Sequence, residues 1–124
     1  MFDILFGKRK PCLKEGRWKE FNKHAVLISI GNYVGDKKDG EWLEFYDTGE
    51  LMLKENYVDG VVHGRFATYH PGGALLSEGM YNHGSREGYF KVYDEHGVQT
   101  KSLLFIENHL MEEVEKIRVQ VSSD

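Results

Sequence analysis

A period constrains this chain more than any other feature. Gly16, Gly40, Gly64 and Gly88 recur at one constant interval, and whole columns travel with them. Two positions after each glycine come Trp18, Trp42, Phe66 and Phe90. Five positions after it come Phe21, Phe45, Tyr69 and Tyr93, and seventeen after it Tyr33, Tyr57, Tyr81 and Phe105. Aromatics are only 13% of the chain, so three columns that are aromatic in every copy mark a true internal repeat. The repeat holds nearly all the large rings, so core and repeat must be one object.

Within one unit, Gly40 to Tyr46 is aromatic-rich and stops at Asp47-Thr48-Gly49, which reads as a strand entering a turn. Leu51 to Val58 follows and stops at Asp59-Gly60, a second turn signal. Each unit therefore reads as a β-hairpin. The inner turns, Asp47–Gly49, His70–Gly73 and Asp94–Gly97, end in a glycine suited to positive φ. The outer turns, Gly35–Asp39, Asp59–His63 and His83–Glu87, are polar and variable, where specificity for a partner can sit.

The expected fold is all-β, a single-layer antiparallel meander of four 24-residue β-hairpin repeats at 16–39, 40–63, 64–87 and 88–106. Glycines at 40 and 49 break any helix in the repeat. A ring from a neighbouring strand is expected to lie over the opening glycine of each unit. Trp42 and Phe45, three apart, should point to opposite faces and leave one face with an exposed aromatic patch.

The ends differ from the repeat. Residues 1–15 form an N-terminal extension in which apolar Met1 to Phe6 precede Lys8, Arg9 and Lys10. This segment reads as an extended cover for the first edge strand, with a short interfacial anchor as the alternative. Beyond Phe105 the pattern stops, and Leu110, Val114, Ile117 and Val121 recur at helical spacing. Residues 107–124 are therefore expected to form a short C-terminal helix cap and tail, with Asn108 as N-cap. The alternative is that Arg118 to Val121 pairs as a strand.

Several function classes drop out. A chain of 124 residues suits one domain, and its longest run free of charged residues and histidine, Ala25 to Gly35, is far shorter than the ~20 apolar residues of a spanning helix. The basic residues follow the first apolar stretch, the reverse of a secretory signal, and Cys12 is the only cysteine. Both point to the cytoplasm. A net charge of −4 with no basic stripe argues against nucleic acid as partner. His24, His63, His70, His83, His96 and His109 are scattered over different columns apart from His24 and His96, without HExxH or CxxC, so no metal or other cofactor is expected. Glu41 with Glu44 and Asp94 with Glu95 read as solvated carboxylates, and no nucleophile has a base beside it, so no catalytic residue is assigned.

Gly40-Glu-Trp-Leu-Glu-Phe-Tyr-Asp-Thr-Gly-Glu-Leu51, then Asn56-Tyr-Val-Asp-Gly60 and Gly64, resembles the MORN-repeat variant found in many bacterial proteins. The resemblance covers residues 16 to about 106 and is clearest in the second and third copies. The first copy departs from it, with Ala25 for the inner glycine and Gly35-Asp36 in reversed order. The resemblance implies a hairpin array that acts as a scaffold or binding surface, and many bacterial members of this length are labelled antitoxin or immunity components.

The expected function is accordingly a non-enzymatic protein–protein interaction module, an antitoxin or immunity-type protein that blocks a toxin, effector or complex subunit. The alternative is a self-associating scaffold, a homodimer or a protein held near a membrane. The residues expected to bind are Trp42, Tyr46, Tyr57, Phe66, Tyr69 and Tyr81, with Lys37, Lys38, His63 and Arg86 at and near the outer turns.

Overall fold

Aromatic and β-branched runs cut at fixed intervals by turn residues can satisfy their backbone only by pairing with each other. The structure, a computed structural model, describes residues 13–115. They form eleven strands: β1 Gly16–Phe21, β2 Leu27–Val34, β3 Lys37–Phe45, β4 Leu51–Val58, β5 Val61–Val62, β6 Gly64–Tyr69, β7 Leu75–Asn82, β8 Ser85–Arg86, β9 Gly88–Tyr93, β10 Gln99–Ile106 and β11 His109–Glu115. All join one antiparallel sheet in the order β1-β2-β3-β4-β6-β7-β9-β10-β11, with β5 on β4 and β8 on β7. This is the expected meander. The short β5 and β8 are the leading ends of opening strands, interrupted at His63 and Glu87.

The pairing repeats with the sequence. Gly16 faces Tyr33, Gly40 faces Tyr57, Gly64 faces Tyr81 and Gly88 faces Phe105. Neighbouring hairpins are joined by a wide bulge at the opening glycine. Asn32 pairs with Asp39 and Ile30 with Leu43, so a step of two along β2 is matched by a step of four along β3. The same excess follows Tyr57↔Val62 with Lys54↔Ala67, and Tyr81↔Arg86 with Glu78↔Lys91. Gly40, Gly64 and Gly88 take φ of 78°, 94° and 83° there. Their glycine identity is thus a backbone requirement. No ring lies over them, contrary to expectation, since a Cβ at Gly16, Gly40 or Gly88 would meet nothing within 4 Å.

The inner turns share one hydrogen-bond pattern. Gly49, Gly73 and Gly97 donate to the carbonyls of Tyr46, His70 and Asp94 at 2.8, 2.9 and 3.1 Å, and Ala25 donates to Asn22 at 3.0 Å. Ala25 therefore holds the glycine conformation, φ 64°, in a turn otherwise like the others. Its strain is roughly 1–2 kcal/mol. Glycine costs ~0.4–1 kcal/mol more in the unfolded chain. Ala25→Gly should then stabilise by about 0.5–1 kcal/mol, read as a higher urea midpoint at unchanged m-value.

The outer turns are two-residue reversals with both φ positive. Gly35-Asp36 has φ of 57° and 70°, Asp59-Gly60 53° and 84°, His83-Gly84 48° and 89°, and Glu107-Asn108 50° and 69°. The last of these replaces the expected helix start. Asn108 is the second residue of a turn, not an N-cap, and 109–115 are strand β11 paired with β10. Two physical facts decide this. Asparagine tolerates the left-handed region, and an opening strand placed against the free edge of β10 satisfies a whole ladder of backbone groups. Ile117, Val121 and the Arg118 to Val121 alternative lie outside the described residues, as do residues 1–12 with Cys12 and the anchor reading. No helix of the described residues is long and apolar enough to cross a membrane.

Consecutive hairpins are also stitched at the outer edge. The second residue of each outer turn donates its N–H to the segment that precedes the hairpin: Asp36 to Lys14, Gly60 to Lys38, Gly84 to Val62 and Asn108 to Arg86, at 2.8–3.0 Å. The first residue is held by a side chain in three cases. Glu15 Oε1 accepts from Gly35 N–H at 2.8 Å, His63 Nδ1 from His83 N–H at 3.0 Å and Glu87 Oε1 from Glu107 N–H at 3.1 Å.

Candidate interaction face

Partners directly across an antiparallel ladder share a face. By that rule the pairs Trp18↔Gly31, Trp42↔Glu55, Phe66↔Gly79 and Phe90↔Leu103 form one row across the sheet. A second row on the same face holds Tyr33, Tyr57, Tyr81 and Phe105. The rings interlock as a chain of edge and tilted contacts. Trp18–Tyr33, Tyr33–Trp42, Phe66–Tyr81, Phe66–Phe90 and Phe90–Phe105 have centroids 5.0–5.6 Å apart.

Close ring approach needs absent β-carbons, and those are at Gly31 and Gly79 rather than at the opening glycines. A methyl at Gly31 would lie 2.0 Å from Trp42 Cδ2, and one at Gly79 2.7 Å from Phe66 and 2.8 Å from Phe90. The core that results is thin. Among the described residues only Trp42, Phe90 and Phe105 fall to 4%, 8% and 5% exposure among the apolar side chains.

Cations cover the outer row. Lys14 Nζ lies 5.2 Å from the Trp18 ring centroid and 5.1 Å from that of Tyr33. Lys38 Nζ lies 4.6 Å from Trp42 and 5.0 Å from Tyr57, and the Arg86 guanidinium 4.3 Å from Phe105. Arg86 also donates from Nε to Asn108 Oδ1 at 2.7 Å, which ties the last outer turn to the rings. These positions are one or two periods apart, and the fourth member of the column is Val62. Val62→Lys should therefore bring an ammonium over the Phe66–Tyr81 pair and raise stability by about 0.5–1 kcal/mol, measurable as a higher melting temperature that falls back for Val62→Met.

The expected binding residues separate into groups. Trp42, Tyr57, Phe66 and Tyr81 share the aromatic face, with Lys38 and Arg86 seated on its rings. Tyr57 donates its hydroxyl to Glu55 Oε1 at 2.7 Å, and burial first, then that bond, holds its pKa well above the ordinary phenol value. Tyr69 belongs to the opposite face, paired with Leu75, and Tyr46 sits at the inner edge, its hydroxyl donating to the Tyr69 carbonyl at 2.6 Å. Lys37 forms an exposed ion pair with Asp59 at 3.5 Å, and the His63 ring meets that of His83 at a tilt, centroids 4.5 Å apart, while accepting from the His83 amide N–H. Trp42 is core, so Trp18, 37% exposed, offers more of its ring to a partner. Trp18, Tyr33 and Lys14 are absent from the residues expected to bind because that reading favoured the central copies, although each stands one period before a residue that it named.

The opposite face alternates charge with apolar side chains, some of them paired across strands, as Ile30 with Leu43, Val58 with Val61 and Tyr89 with Leu104. Arg17, Lys19, Lys54, Arg65 and Lys91 lie among Glu41, Glu78, Met80 and Tyr89, with a Lys54–Glu41 ion pair at 3.8 Å. Among the described residues no group of three or more His, Cys, Asp or Glu gathers to hold a metal ion.

Two adjacent stretches of the chain, residues 38–59 and 62–83, match the family model of the MORN repeat variant. They are the second and third hairpins, each taken from the cation column onward. MORN repeats are in general modules for contact with proteins or membranes. No curated protein matches the chain.

Proposed function

We propose that this chain is a non-enzymatic protein-interaction module that presents its aromatic face to a partner protein and blocks that partner, in the manner of an antitoxin or immunity component. The four hairpin units form a one-layer platform. The observation that carries the reading is the state of the aromatic rows: among the described residues no second layer lies over them, and Trp42, Phe90 and Phe105 are their only side chains below 9% exposure. Tyr33, Tyr57, Phe66 and Tyr81 stay half-buried and Trp18 is exposed, a continuous ring surface that a partner can cover. The hydrogen-bonded turns and the edge-packed rings also suit recognition without rearrangement.

The test is affinity capture from the native host's lysate with two charge insertions at exposed rings. Trp18→Asp disrupts the aromatic face at its edge, and Tyr89→Asp alters the opposite face at a residue 55% exposed. A stoichiometric partner retained by the second variant and lost by the first supports the reading. A partner lost only with Tyr89→Asp, or no partner from wild type, overturns it. The outer edges of β1 and β11, unpaired among the described residues, favour self-association as the second reading, and a mass in solution that rises with concentration would select it.

A further inference from the structure

We infer that Tyr46 and His70 are positioning residues that clasp successive hairpins at the inner end of the sheet, and so hold the ring-bearing strands β3, β6 and β9 at a fixed angle to one another. The clasps themselves are read from the fold, and only their effect on binding rests on the interaction reading above. Every junction between the four hairpins has the same weak point. Inward of the wide bulge, β2 meets β3 through Ile30↔Leu43 and Ser29↔Glu44, β4 meets β6 through Lys54↔Ala67 and Leu53↔Thr68, and β7 meets β9 through Glu78↔Lys91 and Ser77↔Val92. A bulge disrupts the ladder and bends its strand, so each inner end depends on a short stretch of backbone pairing.

Side chains reinforce the second and third of these junctions. The Tyr46 hydroxyl donates to the Tyr69 carbonyl at 2.6 Å, and His70 donates from Nε2 to the Tyr93 carbonyl at 2.9 Å. The two bonds are one period apart at both ends. Tyr46 and His70 are the residues whose own carbonyls close the inner turns, and Tyr69 and Tyr93 end the next opening strands. Each clasp therefore spans the closing strand between two opening strands, roughly 10 Å. One ties the strand of Trp42 to that of Phe66, and the other ties the strand of Phe66 to that of Phe90. At the first junction the same column holds Asn22. Its side chain is too short to cross a strand, and its Oδ1 accepts the N–H groups of His24 and Val26 at 2.8 and 3.0 Å within its own turn. The repeat thus presents one backbone arrangement with the clasp and without it.

The experiment reads amide hydrogen exchange residue by residue in the full chain. Tyr46→Phe keeps the ring and removes the donor, so exchange at the inner pairs of β4 and β6 should quicken at least about fivefold while those of β7 and β9 stay within about twofold of wild type. His70→Phe should do the reverse, and His70→Gln, which keeps an N–H donor, should restore protection. Asn22→Tyr should slow exchange at the inner pairs of β2 and β3 by installing the clasp that this junction lacks. Equal acceleration at both junctions, as in general destabilisation, or none at either, would overturn the clasps. So would unchanged or faster exchange in Asn22→Tyr. For a captured partner, the Tyr46→Phe/His70→Phe variant should bind at least about fivefold more weakly, because the rings are no longer held in place beforehand. A partner bound as tightly by that variant would overturn the link from clasps to aromatic face and leave the interaction reading standing. Failure of wild type to capture any partner would remove that reading, and the exchange pattern would still decide the clasps.

Discussion

Alanine at Gly31 is expected to cost this fold about 3 kcal/mol, although it adds a single methyl to one strand of a single-layer sheet. The methyl would sit 2.0, 2.2 and 2.6 Å from three atoms of the Trp42 indole, inside any contact that carbon atoms sustain. The indole cannot retreat freely. Its Nε1 donates to the Asn32 carbonyl at 3.1 Å, Lys38 sits over it, and Tyr33 meets it edge to face at 5.1 Å. Since the clash belongs to one pair, its cost should largely vanish when the ring is gone. A double-mutant cycle of Gly31→Ala with Trp42→Leu measures this. The cycle should return a coupling of at least about 1.5 kcal/mol. Additive effects would place the requirement for glycine in the backbone instead.

Trp42→Ala should cost about 3–5 kcal/mol, the upper range for a buried ring. Trp42 is the least exposed of the described apolar side chains, at 4%, and its indole nitrogen bonds to a carbonyl of the neighbouring strand. A thin core spreads such a loss poorly. Tyr33 and Lys38 lose their neighbour at once, and no second layer among the described residues can collapse into the gap. Chemical denaturation at a matched m-value should report the effect, and Trp18→Ala, at the exposed edge, should cost less than half as much.

Much of this architecture was legible in the chain because the repeat writes its register into the sequence. The opening glycine and the aromatic seventeen positions later proved to be cross-strand partners in each hairpin. Ala25 and Glu107-Asn108 were harder, since both place residues other than glycine at positive φ, where local preference is outweighed by the ladders on either side. The C-terminal helix failed for that reason. An apolar spacing of four and three fits a helix, but it also fits a bulged strand, and the free edge of β10 decides between them. The glycines that admit rings, Gly31 and Gly79, lie outside the most regular glycine column; the other two copies hold Glu55 and Leu103 at their position. Ring packing therefore varies from unit to unit while the backbone does not.

The same distinction governs the candidate site. Lys38 and Arg86 read as free charges at the outer turns, yet both are held against rings, a role that only the folded sheet reveals. Residues that define the surface are thus those whose rows meet, rather than those whose type is most conspicuous.

The most direct test of the account is to map the captured partner's footprint by the resonances it perturbs. The account predicts that the Trp18 indole and the rings of Tyr33 and Tyr57 shift on binding, while Met80 and Tyr89 on the opposite face stay in place. A footprint centred on Met80 and Tyr89, with the Trp18 indole unmoved, would contradict it.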